Sequence, residues 1–127
     1  MTHGKPHGWA FAVPATLVIL LLGAALVRFR PGIDVTVGNT GATPLRDVVL
    51  HVTGASYPLG DLAPGEERKA TVQPTSESGL EVELTEVGGG RKRLGAGGYY
   101  EPGYRGTIRL SIRDGAIEAK DERVDFW

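Results

Sequence analysis

The stretch Leu80–Val87, LEVELTEV, decides the fold. Leu80, Val82 and Leu84 fall on one side and Glu81, Glu83 and Thr85 on the other, the period of a half-buried β-strand. The same rhythm recurs on both sides of it. Ile33, Val35 and Val37 share a face, and in 46–52, RDVVLHV, Val48, Leu50 and Val52 point inward while Val49, His51 and Thr53 point outward. In 106–113, GTIRLSIR, Ile108, Leu110 and Ile112 are inward and Arg109, Ser111 and Arg113 outward. KATVQP (69–74) reads as a short strand ended by Pro74, and AIEAKDERVDFW (116–127) as a last strand. Glycine and proline punctuate these runs. GNTG (38–41) reads as a turn, SYPLGDLAPGEE (56–67) as a loop-rich connection and GGGRKRLGAGG (88–98) as a flexible hairpin tip. About seven short strands at this spacing predict an antiparallel β-sandwich of immunoglobulin type over 31–127.

Ahead of that domain, 9–32 reads WAFAVPATLVILLLGAALVRFRPG, and Trp9 to Val27 is 19 residues without a charge. At ~1.5 Å rise per residue such a run spans roughly 28 Å, close to the ~30 Å hydrocarbon core. The prediction is an N-terminal tail (1–8) and one transmembrane helix with its flanks (9–30), kinked mildly at Pro14. Trp9 and Phe29 are set for the membrane interface, and Arg28 and Arg30 for headgroups. Ala12, Thr16, Gly23 and Val27 give one slim face for close packing on another helix. The competing reading is an export signal cut near Gly23-Ala24-Ala25. Lys5 as the lone firm charge in front, and Arg28 and Arg30 just past the cut, weigh for retention. Near the ends of the run, Lys5 precedes it while Arg28, Arg30 and Arg46 follow, which favours a cytoplasmic rather than periplasmic C-terminal domain. Only Arg28, Phe29, Arg30, Pro31 and Gly32 separate Val27 from the first strand, a reach of at most ~18 Å. The domain is therefore expected at the membrane surface.

Charge and composition exclude several classes. The chain of 127 residues has net charge −1, but all 15 Asp and Glu lie after residue 31, leaving the domain acidic. That balance argues against nucleic acid as a partner. The absence of cysteine removes disulfides, thiol chemistry and Cys-based zinc sites.

The order VGNTGATPLRDVVLHV followed by LGDLAPGEERKATVQP resembles bacterial Ig-like domains of the cell-adhesion-related and NEW3-like kind. The matching residues are Asn39, Gly41, Leu62, Pro64, Gly65 and Glu66. The resemblance spans about 40 residues of turn chemistry, so it speaks to fold rather than activity. It implies a spacer or interaction module, often extracytoplasmic, which pulls against the charge asymmetry.

Candidate sites are few. His3 and His7 sit in a Gly- and Pro-containing tail, and no metal or cofactor is expected. His51 is the one histidine of the domain, and no serine or threonine is accompanied in sequence by the set that activates a nucleophile. Glu81 and Glu83 read as ion-pair partners for the outward Arg109 and Arg113. Arg91, Lys92 and Arg93 suggest contact with lipid headgroups or an acidic partner. Tyr99, Tyr100, Tyr104 and Arg105 around Pro102-Gly103, with Phe126 and Trp127 at the C-terminus, have the composition of an interface. Alternation buries one of Tyr99 and Tyr100. Together these features predict no enzyme. They point to a single-pass accessory subunit of an integral membrane complex in the bacterial cytoplasmic (inner) membrane. Its partners would be other integral membrane proteins and the lipid bilayer, and an energy-transducing assembly, respiratory or photosynthetic, comes first among candidates. The alternative is an envelope-anchored binding module for glycan or peptide.

Overall fold

The computed structural model describes residues 32–125. The expected membrane segment with its packing residues Ala12, Thr16, Gly23 and Val27, its interfacial Trp9, Arg28, Phe29 and Arg30, and the terminal Phe126 and Trp127 lie outside the described residues.

Eight strands follow one another: β1 (Gly32–Asn39), β2 (Leu45–Val52), β3 (Ala55–Leu62), β4 (Glu67–Val72), β5 (Ser78–Thr85), β6 (Arg91–Tyr100), β7 (Arg105–Arg113) and β8 (Ala116–Asp125). They form two four-stranded sheets, ordered β4-β1-β7-β8 and β3-β2-β5-β6. The alternating positions fill the space between them. Ile33, Val35, Val37, Val48, Leu50, Leu80, Val82, Leu84, Ile108, Leu110 and Ile112 are all buried, as their spacing predicts.

Three expectations are corrected. The loop-rich reading of 56–67 fails because Leu59 and Leu62 are buried and 55–62 is strand β3. Pro58 is tolerated there because β3 is an edge strand, and Gly60, at φ 80°, absorbs an irregularity in the pairing with β2. The expected hairpin tip at 88–98 is mostly strand β6, with the turn confined to 86–90. Leu94 and Ala96 turn toward the core, and bulges opposite β5 take up Gly97 and Gly98. Nor is the sandwich wholly antiparallel, since β1 runs parallel to β7, Gly32 beside Arg105 and Asn39 beside Ile112.

That register gives the sandwich two distinct ends. One carries Gly32, the β2–β3 turn, the β4–β5 connection, the β6–β7 turn and Asp125. The other carries Asn39, the β1–β2 loop, the β3–β4 turn, the β5–β6 hairpin and the β7–β8 turn. With β1 8 residues long, the ends are roughly 25 Å apart at ~3.3 Å per residue.

The Asn39 end is knotted by one buried amide. Asn39 Nδ2 donates to the carbonyls of Thr43 (2.8 Å) and Leu62 (3.0 Å), and its Oδ1 accepts from Gly41 N (3.0 Å). Its backbone N–H donates to Glu66 O and its carbonyl accepts from Gly65 N. Glu66 Oε1 in turn accepts from Ala63 N. The Asn-x-Gly and Leu-x-Pro-Gly-Glu segments, distant in sequence, thus satisfy one another's backbone groups. The GNTG turn shifts accordingly: Asn39 ends β1 buried, and the bend begins after it.

Candidate functional site

At the Gly32 end, β6 runs into the turn 101–104 and places three tyrosines differently. Tyr100 is buried at 1% exposure, whereas Tyr99, one step along the strand, is 54% exposed. Tyr104 is half-buried against the core. Tyr99 Oη donates to Glu101 Oε1 (2.8 Å) and lies 3.0 Å from Glu77 Oε1, while Tyr104 Oη lies 3.5 Å from Glu101 Oε2. Two carboxylates therefore hold two phenols, and the hydrogen bond to Glu101 leads the effects that raise the Tyr99 pKa above its usual 10.0. Burial first, then Glu101, raises Tyr104 as well. These rings stay neutral at any physiological pH.

Among the described residues, Glu77 and Glu101 are the glutamates without a cationic partner. Every other glutamate meets an Arg, Lys or His. Arg105 is exposed and pairs in register with Gly32. What this end offers chemically is an exposed aromatic ring held by two carboxylates, with the exposed Arg105 just beyond the turn.

Tyr100 has a separate, structural task. Its hydroxyl donates to Glu122, Lys120 Nζ lies 3.2 Å from the same oxygen, and the ammonium sits 5.8 Å from the ring centroid. Lys120 Nζ also donates to Ala96 O (2.8 Å). The group closes the gap between the edge strands β6 and β8, and burial, then Glu122, raises the phenol's pKa. Gly98 permits this fold-back: at φ 84° it lies against the Tyr100 ring, where a Cβ would collide.

The outer face of the β3-β2-β5-β6 sheet carries a polar row. His51 Nδ1 is 2.7 Å from Ser56 Oγ, and Nε2 is 2.8 Å from Glu83 Oε1. A serine, a histidine and a carboxylate are thus connected although no sequence motif joins them; strand register does, with His51 directly opposite Ser56. The geometry does not favour catalysis. Glu83 is already held by Arg91 Nε (2.7 Å) and Arg93 Nε (3.4 Å), so little of its charge remains to stabilise an imidazolium. The hydrogen bond from Arg91, then that from His51, depresses the Glu83 pKa. Ser56 itself is exposed on an edge strand. The row reads as a cross-strand ladder.

Ion pairing also differs in its partners from the sequence expectation. Glu81 pairs with Arg93 (3.0 Å) and Glu83 with Arg91, while Arg109 pairs with Glu67 (2.6 Å) and Arg113 with Glu118 (3.3 Å). The reason is topological: β5 and β7 belong to different sheets. Arg91, Lys92 and Arg93, each facing a carboxylate, start β6 at the end away from Gly32. An open groove lined by Pro44, Leu45, Leu84 and Lys92 lies at that same end, beside the fully exposed Val87. Among the described residues no group of His, Asp and Glu is arranged to hold a metal ion.

No family model, no curated protein and no solved structure matches this chain.

Proposed function

We propose that this protein is a non-catalytic, single-span accessory subunit of a larger integral membrane complex. Residues 9–30 would cross the bilayer, and an immunoglobulin-like sandwich would brace the assembly at its surface. The reading is supported by an uncharged run of membrane length ending at Val27 and a first strand beginning at Gly32. The four intervening residues, 28–31, let the first strand start no more than ~18 Å from Val27, so they cannot act as an outward-reaching stalk. Two facing four-stranded sheets support the immunoglobulin-like reading of the domain. Arg28, Arg30 and Arg46 behind the run, against Lys5 before it, support the bacterial cytoplasmic membrane with the domain on the cytoplasmic side.

The observation that carries the proposal is this short connection between an apolar span and a folded strand. Alkaline extraction of membranes followed by gentle solubilisation tests it. The chain is expected to stay with the membrane and to co-purify with integral membrane proteins, those of an energy-transducing complex first among them. Purification as a lone monomer overturns it. The exposed Tyr99 ring favours a second reading, an envelope-anchored module for glycan or peptide. That reading requires binding that Tyr99→Ala abolishes.

A further inference from the structure

We propose that the outer face of the β3-β2-β5-β6 sheet carries a glycan site, a shallow trough of about 220 Å³ edged by the exposed Tyr99 ring, which takes a neutral, hydroxyl-rich sugar chain. This rests on the binding-module reading above and names its ligand class. His51, Thr53, Ser78, Gly79, Glu81 and Arg93 line the trough. Two glycines mark it. Neither Gly79 in β5 nor Gly95 in β6 has a positive φ, and a Cβ would meet nothing closer than 3.7 Å at Gly79 and nothing within 4 Å at Gly95. The fold therefore requires glycine at neither position, whereas Gly97 and Gly98, at φ 72° and 84°, serve the bulge. Strand left bare without a conformational reason suits a ligand lying close to the backbone. Gly95 stands opposite Glu81, on β6 between Arg93 and Tyr99. Tyr99 joins the trough through Glu77: its hydroxyl is 3.0 Å from Glu77 Oε1, and Thr53 Oγ1 donates to Glu77 O (3.0 Å).

Charge and hydrogen bonding select the ligand. Arg93 Nη1 meets Glu81 Oε2 (3.0 Å) and Arg93 Nε lies 3.4 Å from Glu83 Oε1, while Arg91 and His51 share Glu83. The charges facing the trough are thus already paired, which leaves no surplus for a phosphate or an ammonium group. Glu81 Oε1 and Arg93 Nη2 remain as acceptor and donor on well-exposed side chains. Such a pair answers sugar hydroxyls, which accept and donate at once. Glu77 and Glu101 hold the Tyr99 hydroxyl and so fix the ring for stacking on the CH face of a sugar. Their charge at the edge disfavours an acidic glycan. Arg105 and Arg123 belong to the other sheet, and neither lines the trough.

The test applies the purified full chain to an array of neutral glycans, with acidic glycans and peptides printed beside them, and titrates whatever is retained. Tyr99→Ala and Gly95→Val are each expected to weaken neutral-glycan binding roughly tenfold. Gly95→Val is the sharper variant. Valine suits an exposed strand position with open space above it, so the unfolding midpoint should hold or rise while binding falls. Loss in Tyr99→Ala with none in Gly95→Val leaves the binding module standing and overturns the trough. Retention of peptides alone, lost in both variants, assigns the trough to a peptide and overturns the glycan. Retention of nothing, or binding that neither variant weakens, overturns the trough and the module reading together.

Discussion

Both ends of the sandwich are tied by a buried polar side chain, Asn39 at one and Ser78 at the other, but only the Gly32 end adds a cluster of exposed tyrosines and carboxylates. At the Asn39 end, side-chain and backbone bonds are spent on one another: a buried amide satisfies three backbone groups, and the β3–β4 turn closes over it. At the Gly32 end, Ser78 Oγ accepts from Thr53 N and Thr53 Oγ1 donates to Glu77 O, tying the β2–β3 turn to the β4–β5 connection, while beside them two phenols and two carboxylates meet as exposed or half-exposed side chains on which no buried backbone group depends. Removing the Asn39 set opens the fold; removing the exposed cluster changes only a surface.

The difference is broken most directly at Asn39. In Asn39→Ala the carbonyls of Thr43 and Leu62 and the N–H of Gly41 lose their partner in a buried site, and each such orphan costs ~1 kcal/mol or more. A loss of about 3 kcal/mol is expected in chemical denaturation of the purified chain. A loss no larger than that of an exposed substitution would show the knot to be incidental. Tyr100→Phe comes next, because it keeps the ring over Gly98 but frees Glu122 and Lys120, both of which can reach water. It should cost about 1 kcal/mol, and hydrogen exchange should quicken along β6 and β8 rather than at the Asn39 end.

What the sequence discloses follows the same division. Inward positions of β1, β2, β5 and β7 are legible because period-two alternation is a local signal. Strands β3 and β6 are not, since Pro58, Gly60, Gly95, Gly97 and Gly98 mark turns in most settings and are compatible with strand only at edges and bulges. Asn39 and Glu66 are visible as turn residues, yet their meeting is a property of topology. The partners of Glu81, Glu83, Arg109 and Arg113 were hidden for the same reason, because alternation gives the face of a side chain and not the sheet it belongs to. The Ser56–His51–Glu83 row lay beyond sequence reading too. Of the tyrosine end, the aromatic composition and the burial of one of two adjacent tyrosines are readable, whereas its proximity to Gly32 depends on the parallel β1–β7 pairing.

The smallest effect sharpens the comparison most. Glu101→Gln removes the leading cause of the raised Tyr99 pKa and one of the effects on Tyr104, but exposes no buried group. At neutral pH the unfolding midpoint should barely move. A phenol whose folded pKa is raised keeps its proton after the unfolded chain begins to lose it at 10.0. Its stabilising contribution is therefore complete below pH 10 and decays as pH climbs through the folded value. In Glu101→Gln that alkaline decay becomes shallower, and the tyrosinate absorbance of Tyr99 rises at lower pH than in the parent chain. A variant that instead unfolds at neutral pH would give the cluster the structural duty of Asn39. The inference that Asn39 is held for the fold while the exposed tyrosine cluster is left for a surface would then fail.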